Sequence, residues 1–167
     1  MQRDPIASRP GIPEGYGVPK SRRGLLGWSH ARQRLEEALV YWLATANPKA
    51  EPHAVPVWGV WLDERLYFDG GAQTRHMRNV AANPGIVVHL ENGNDVVIVE
   101  GTAQAAPVPD PALTARVAEG YTAKYGGMGY SPKPDSWDGG GLWVVHPRRA
   151  FAWTGFPKDV TRFSFER

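Results

Sequence analysis

The stretch Leu66-Tyr67-Phe68-Asp69-Gly70-Gly71 is followed by Thr74-Arg75-His76-Met77-Arg78-Asn79 and by Asn83-Pro84-Gly85. It predicts an apolar strand, a glycine turn, and a short helix that stops at the Asn-Pro-Gly segment. The first N–H groups of a helix have no intrahelical partner and carry partial positive charge. A phosphate group fits such a helix start, so this stretch is a candidate phosphate site.

Two side chains strengthen that interpretation. Thr74 is a candidate N-cap, and Arg75 offers a forked, bidentate contact to an anion. The alternative is an ordinary surface helix, because many short helices begin with Thr and carry arginines on a solvated face. This segment alone does not distinguish a phosphate site from an ordinary surface helix.

Length and composition predict one globular domain. The 167 residues are 42% hydrophobic and 22% charged, which is enough for a sizeable core. We expect a Pro- and Gly-rich extended arm over residues 1–27 and a cofactor-binding domain over residues 28–167. The absence of cysteine excludes a disulfide framework and a thiolate metal site. With no signal-peptide run and no apolar stretch of about 20 residues, we expect a cytoplasmic protein without a membrane partner.

The opening segment is basic although the net charge is only +2. Its acidic residues are Asp4 and Glu14. Its basic residues are more numerous, namely Arg3, Arg9, Lys20, Arg22, Arg23, Arg32 and Arg34. Such an arm suits nucleic acid, an acidic membrane surface or a polyanionic cofactor tail. Since no nucleic-acid-binding motif accompanies it, we expect no nucleic-acid partner. The arm is expected to lie extended across a surface, of this chain or of a second subunit.

The first half of the remaining chain predicts a helix and several strands. A helix is expected from near residue 30 with Ser29 as its cap, and a strand over 41–45. Residues 53–62 are predicted to form one strand that pairs with 66–68. Residues 86–90 and 96–101 flank Asn-Gly and predict a hairpin. Both of these runs are apolar without clear alternation, so we expect each to be covered on both faces, as in a small closed barrel that is packed on its outside by helices or a partner subunit.

The second half adds one helix and three strands. A helix is predicted over 110–125 and strands over 142–145, 150–154 and 160–165. The loop between them, 126–141, is long, and a loop of that length is more often functional than idle.

Taken in order, these segments resemble the pyridoxamine-phosphate-oxidase-like split-barrel superfamily over about residues 35–165. The resemblance rests on the ordered set Trp42-Leu43-Ala44-Thr45, Pro52-His53-Ala54-Val55-Pro56-Val57-Trp58, Leu66-Tyr67-Phe68, Thr74-Arg75-His76-Met77-Arg78-Asn79, Asn83-Pro84 and Glu100-Gly101-Thr102-Ala103. It implies a mainly β fold with flanking helices, namely an antiparallel split β-barrel of six or seven strands. It also implies a homodimer with a cofactor site in the groove between the subunits.

Members of this superfamily bind FMN or the deazaflavin F420, and some bind haem. The resemblance implies that the cofactor phosphate is held by Thr74, Arg75 and His76, with Arg78 and Asn79 nearby. It implies that Val55, Pro56, Val57 and Trp58 run along the ring system. Many members have Lys at the position of His76, and a neutral imidazole contributes less to phosphate binding than an ammonium group.

The arrangement of residues 53–61 and 78–79 resembles the flavin/deazaflavin oxidoreductases of the B type. Several of these use F420, whose oligoglutamate tail needs a basic lane that the arm offers. The resemblance therefore implies an oxidoreductase that binds F420 and transfers hydride to or from an electron-poor organic substrate. The alternatives are an FMN-dependent oxidoreductase and a non-enzymatic flavin- or haem-binding barrel, for which His89 or His146 is the candidate iron ligand.

Individual aromatic and histidine residues complete the prediction. Tyr130 and Trp153 are the candidate substrate contacts, and no catalytic side chain is assigned, since Tyr130, His89 or water are equal candidates for the proton donor. Trp42 and Trp143 are expected in the core, while Trp58 and Trp61 are expected on opposite faces of one strand. The five histidines show no metal-ligand spacing, so no metal is expected. Without a nucleophile elbow or a phosphate-binding glycine loop, nothing favours a hydrolase or a kinase.

Overall fold

The computed structural model describes residues 3–166, so residues 1, 2 and 167 of the predicted arm and domain lie outside the described part. Within it the chain forms nine strands and three α-helices. The strands are β1 (Ile6–Ser8), β2 (Tyr41–Ala46), β3 (Pro52–Val57), β4 (Val60–Leu62), β5 (Arg65–Asp69), β6 (Gly85–His89), β7 (Val96–Ala105), β8 (Leu142–Trp153) and β9 (Thr161–Ser164). The helices are α1 (Trp28–Glu37), α2 (Arg75–Ala82) and α3 (Pro111–Tyr125).

All strand pairs are antiparallel and belong to one sheet. Its order is β1-β9-β8-β7-β6-β2-β3, and β5 pairs with both β8 and β4. The long β7–β8 ladder bends at a register shift between Glu100 and Gly101, which lets the sheet curl around its interior. This architecture confirms the predicted mainly β split barrel with flanking helices, although its nine strands exceed the six or seven expected.

Two hydrophobic clusters lie on opposite faces of the curled sheet. The barrel interior is filled by alternate strand residues, such as Leu66 and Phe68 of β5, and is closed by Trp28 and Leu35 of α1. The second cluster lies outside, where Tyr67 and its neighbours pack against α3. Strand alternation sends successive side chains to opposite faces, so β5 contributes to both clusters.

The strand predicted over 53–62 is broken in the structure. β3 ends at Val57 and β4 starts at Val60, leaving Trp58 and Gly59 outside any strand. Trp58 and Trp61 therefore do not lie on one strand, and the prediction that they occupy its opposite faces is wrong. The two rings do differ in environment, with Trp58 38% exposed and Trp61 5% exposed.

Helix α3 supplies the hydrogen bonds that this break requires. The Tyr125 hydroxyl accepts from the Gly59 N–H at 3.0 Å and lies 2.9 Å from the Gly59 carbonyl oxygen. The adjacent Lys124 ammonium donates to the Ala38 carbonyl at 2.8 Å and to the Tyr41 hydroxyl at 2.7 Å. Burial lowers the pKa of Lys124 to about 8. These bonds fix the position of Trp58 relative to α3.

Several predicted boundaries are corrected. The strands expected at 142–145 and 150–154 are one continuous strand, β8, because β7 pairs with it along its whole length. The hairpin of β6 and β7 is confirmed. Its two strands alternate between buried and more exposed residues, however, so the expected burial of both faces is wrong within the chain.

Other expectations about single residues also change. Helix α1 begins at Trp28 with Gly27, not Ser29, at the N-cap. The predicted helix over 110–125 is confirmed, and the Asp110 side chain caps it. Trp42 and Trp143 are half-buried rather than core residues. The Trp42 ring stacks on His89, and the Trp143 indole N–H donates to the Gly70 carbonyl.

The N-terminal arm lies along its own chain. β1 pairs with β9, and the Arg9 guanidinium donates to the carbonyl oxygens of Ser21, Arg23 and Val160. Further along, Arg32 and Arg34 form ion pairs with acidic residues of the same chain. Much of the basic charge predicted for a cofactor tail is therefore engaged within the chain. None of the helices in residues 3–166 is long and apolar enough to cross a membrane.

The register shift in β7 leaves no room for a side chain at Gly101, and this can be tested by mutation. A Cβ added there would lie 2.1 Å from the carbonyl oxygen of His146, which is backbone and cannot move away freely. We expect Gly101→Ala to lower the free energy of unfolding by at least about 2 kcal/mol, as overpacking does, measured by urea denaturation. The matched control is Gly93→Ala, because a Cβ at Gly93 meets nothing within 4 Å. Equal stability of the two variants would contradict this account of the bend.

Candidate functional site

The phosphate segment forms as the sequence predicts, with one difference at its cap. β5 ends at Asp69, a glycine turn follows, and α2 starts at Arg75 with Thr74 in the N-cap position. The Thr74 hydroxyl does not accept from a helix N–H. It donates to the Gly71 carbonyl at 2.9 Å instead. The capping bond is therefore absent, and the first N–H groups of α2 are left for another acceptor.

Arg75 and Arg78 lie on the exposed side of α2. Among the described residues, no ion pair engages the Arg75 guanidinium. Arg78 is partly occupied, since its Nη1 donates to the Gln73 carbonyl oxygen within the same turn. Arg75 is thus the cation of this segment with the most freedom to contact an anion.

His76 is half-buried and faces a histidine on the neighbouring strand. Its ring stacks on His53 with the centroids 6.4 Å apart and an interplanar angle of 19°. Burial, together with the charge of His53, lowers the pKa of His76 below its usual value. His76 is therefore neutral at neutral pH and contributes hydrogen bonding without positive charge.

Asn79 anchors the helix to the barrel. It is buried, and its amide donates to the Thr45 hydroxyl on β2 at 3.0 Å. Together with the His53–His76 stack, this bond holds the phosphate segment against β2 and β3. The structure thus brings the predicted phosphate residues and the predicted ring strand side by side, with Asn79 in a positioning role.

The predicted ring strand is an edge of the sheet. β3 pairs with β2 alone among the strands of residues 3–166, so alternate backbone groups of Val55 and Val57 have no strand on their outer side. Pro56 lacks an N–H and is compatible with an edge strand. An edge with free N–H and C=O groups can hydrogen-bond the rim of a heterocycle. Val55, Pro56 and Val57 lie where such contacts are possible.

Trp58 joins a cluster of tyrosines at the end of this strand. Its ring stacks flat on Tyr125, with centroids 4.7 Å apart and an interplanar angle of 6°. Tyr130, from the long loop over 126–141, lies 5.9 Å from the same ring. The structure therefore brings Trp58 and Tyr130 together, as candidate cofactor and substrate contacts require.

Asp69 lies at the centre of these hydroxyl groups. The Tyr130 hydroxyl donates to Asp69 Oδ2, and the Tyr121 hydroxyl lies 3.3 Å from Asp69 Oδ1. The Asp69 N–H donates to the Tyr121 oxygen at 3.0 Å. Burial and the neighbouring carboxylate raise the pKa of both tyrosines, which therefore stay protonated as donors.

Trp153 does not join this site within one chain. Asp69 pairs with Leu142 at the start of β8, whereas Trp153 is the last residue of that strand. Eleven residue steps at about 3.3 Å give a path of roughly 36 Å along β8 between the two residues, and β8 bends along that path opposite the register shift in β7. Trp153 instead packs edge-on against Phe156, in a groove with Ile12 and Arg162.

Some of these residues carried no functional assignment in the sequence analysis. His53 gave no signal, because its contact with His76 depends on the packing of α2 against β3. Asp69 did give one, as a carboxylate that ends a strand directly before a glycine turn. Tyr121 and Tyr125 are four residues apart on α3, and that spacing predicts a shared helix face.

The two candidate haem ligands, His89 and His146, do not belong to the phosphate segment or the tyrosine cluster. His89 Nδ1 lies 3.0 Å from the Leu90 carbonyl oxygen, and its ring stacks on Trp42. Burial and the nearby Arg65 lower the pKa of His146. Within residues 3–166, no three histidine or acidic side chains cluster as a metal site would require. The donor set at α2 fits a phosphate-bearing cofactor.

Comparison with known proteins gives a family match and several similar structures. Residues 28–154 match the sequence family described as Pyridoxamine 5'-phosphate oxidase. A solved structure named F420 Reductase is 26% identical, with 71% of this chain and 94% of that chain covered and a TM-score of 0.56. Curated protein sequences gave no match.

Two further solved structures are similar in fold. The conserved hypothetical protein Rv2991 from Mycobacterium tuberculosis is 21% identical over 81% of this chain and 89% of its own, with a TM-score of 0.63. A heme binding protein from Mycobacterium smegmatis is 18% identical over 81% of this chain and 56% of its own, with a TM-score of 0.62.

The family match runs from the first residue of α1 to the residue after β8. It therefore includes the edge strand β3, the phosphate segment at α2 and the tyrosine-bearing helix α3. The chain belongs to the pyridoxamine 5'-phosphate oxidase family.

Proposed function

We propose that this protein is an oxidoreductase that binds the deazaflavin F420 and transfers hydride to or from an electron-poor organic substrate. The observation that carries the choice of cofactor is the low positive charge of the phosphate segment. Arg75 is its free cation, Arg78 is partly engaged, and His76 is neutral. Such a segment suits a phosphate with a single negative charge.

The two candidate cofactors differ in the charge of the phosphate group itself. The oligoglutamate tail of F420 would extend beyond this segment and is not part of the comparison. The phosphate of F420 is a diester with one negative charge, whereas the phosphate of FMN is a monoester with close to two at neutral pH. An ammonium group at position 76 would balance the second charge of FMN, and a neutral imidazole does not. The likeness to a solved F420 Reductase supports the same choice.

The residues of this chain would bind and orient the cofactor. The α2 N–H groups and Arg75 would hold the phosphate, and the open edge of β3 would hydrogen-bond the ring. Trp58 and Tyr130 would cover the reacting face and exclude water. When bound, F420 supplies the hydride donor or acceptor, so no side chain is needed as a nucleophile.

We also propose a homodimer with the site at the subunit interface. Trp153 lies at the opposite end of β8 from the residue that pairs with Asp69, and its groove with Phe156 and Arg162 shares no lining residue with the groove of Asp69 and Tyr130. A second copy would bring its own Trp153, with the groove around Phe156 and Arg162, against the phosphate segment. The runner-up function is an FMN-dependent oxidoreductase, which the family description favours.

The assignment of Arg75 to the phosphate site can be tested by mutation. Arg75→Ala should weaken F420 binding at least tenfold, because it removes the free guanidinium beside the helix start, measured by titration of F420 fluorescence. Arg116→Ala is the matched control, since Arg116 is an exposed arginine paired with Asp63 near the β4–β5 turn. Unchanged affinity in Arg75→Ala would remove the phosphate site from α2.

The second prediction concerns His76 and pH. Because its pKa is lowered by burial and by His53, F420 affinity should stay nearly constant from pH 7 to 9 and rise only below about pH 6.5, the usual pKa of histidine.

His76→Lys should strengthen FMN binding more than F420 binding at pH 7.5, by about tenfold against less than threefold. A steep change in wild-type affinity between pH 7 and 8.5 would contradict the neutral imidazole. NMR titration of His53→Gln should show a higher His76 pKa.

The third prediction tests the contribution of a second subunit. Trp153→Ala should weaken F420 binding about threefold to tenfold while the protein stays dimeric by light scattering, because the ring would line the partner's site. A monomeric wild-type protein with full F420 affinity would contradict the shared site.

A further inference from the structure

The Asp69 carboxylate is an unusual feature of the proposed substrate groove. The Tyr130 hydroxyl donates to it, the Tyr121 hydroxyl lies 3.3 Å from its other oxygen, and within residues 3–166 no Lys, Arg or His nitrogen forms an ion pair with it. Asp69 is half-buried and is one of the residues that line the groove. A hydroxyl stabilises a carboxylate without cancelling its charge. The site therefore keeps a negative charge at this point.

The groove around Asp69 contains no compensating cation in the described part of the chain. It runs from the Gly70–Gly71 turn to the loop residues Tyr130 and Trp137, and its remaining lining is glycine, serine and proline. Asp69 is thus the charged side chain of the lining. An anion placed here would meet a carboxylate at short range. The groove is open to solvent, so the repulsion is partly screened but keeps its sign.

The neighbouring aromatic rings add to the same preference. Trp58 is 38% exposed, and its ring stacks on Tyr125 and lies 5.9 Å from the Tyr130 ring, which lines the groove. Aromatic faces carry partial negative charge and attract cations. A carboxylate and exposed ring faces together favour a planar ligand with a positive or N–H-bearing group.

We propose that Asp69 determines the substrate class of this site: a planar, electron-poor organic molecule that carries an ammonium or another N–H donor group and has no phosphate or carboxylate. This inference rests on the proposed function, because the groove can hold a substrate of hydride transfer only if F420 binds beside it. It separates this chain from family members whose substrate is a phosphate ester, for which a cation would be needed here.

The test uses three probes that share one nitroaromatic ring: 4-nitrobenzylammonium, 4-nitrobenzyl alcohol and 4-nitrobenzyl phosphate. Their dissociation constants are measured from quenching of tryptophan fluorescence, on the protein alone and on the protein loaded with F420. We expect the ammonium probe to bind at least tenfold more tightly than the phosphate probe, with the alcohol between them. A phosphate probe that binds as tightly as the ammonium probe would overturn the proposal.

Variants assign the preference to Asp69. Asp69→Asn should reduce the ammonium-to-phosphate ratio to about threefold or less, while Asp135→Asn, an exposed carboxylate in the same loop region, should leave it unchanged. Tyr130→Phe removes the hydroxyl donor but keeps the carboxylate, so the ratio should be retained or increased. If Asp69→Asn fails to fold, Tyr130→Phe still decides, because loss of the ratio in that variant contradicts the proposal.

The outcomes separate this inference from the proposed function. A preserved ammonium preference in a protein that does not bind F420 would uphold the Asp69 assignment and reject the F420 enzyme. Tight F420 binding with an equal ammonium-to-phosphate ratio in wild type and Asp69→Asn would uphold the F420 enzyme and reject the Asp69 assignment. An equal loss in Asp135→Asn would show general electrostatics and overturn the role of Asp69.

Discussion

The hydrogen bonds between the α3 tyrosines and the interrupted backbone at Trp58–Gly59 are the constraint on which the site depends. A strand that stops in the middle of a fold leaves N–H and C=O groups that need partners. Tyr125 bonds Gly59, and the Tyr121 hydroxyl contacts both the Trp58 carbonyl and Asp69. These bonds place the open edge of β3, the Trp58 ring and the end of β5 in one fixed arrangement.

The arrangement produces a site with opposite electrostatic character at its two ends. At α2, the helix start and Arg75 make a modestly positive region that suits a singly charged phosphate. Beyond the Gly70–Gly71 turn, Asp69 and the aromatic faces make a negative region without a compensating cation in the described residues. The proposed cofactor and the proposed substrate class follow from this difference, since each end attracts a different kind of ligand.

Much of the fold was predictable because it depends on local patterns. The glycine turn, the short α2 helix, the Asn-Gly hairpin and the proline-entered α3 all have strong sequence signals. The break at Trp58–Gly59 was missed because the run of residues 53–62 is rich in Val and Trp and predicts one continuous strand. The hydroxyls that stabilise the break come from residues more than sixty positions away. The continuity of β8 was missed for the same kind of reason, since Pro147 lies opposite the register shift in β7.

The candidate site was predictable in part. Arg75 and Trp58 could be proposed from their order in the chain and the family resemblance. The His53–His76 stack and the tyrosine hydroxyls around Asp69 depend on how α2 and α3 pack against the barrel, and no spacing in the sequence reports that packing. The neutral state of His76 likewise follows from burial, which a sequence does not give.

The central claim is that the phosphate segment selects F420 over FMN. The most direct measurement is a pair of equilibrium titrations of the wild-type protein at pH 7.5, one with F420 and one with FMN, followed by cofactor fluorescence. If the segment at α2 selects F420, we expect an F420 dissociation constant in the micromolar range or below and FMN binding at least about tenfold weaker. Equal or tighter binding of FMN would contradict it, and binding of neither would reduce the segment at α2 to an ordinary helix start.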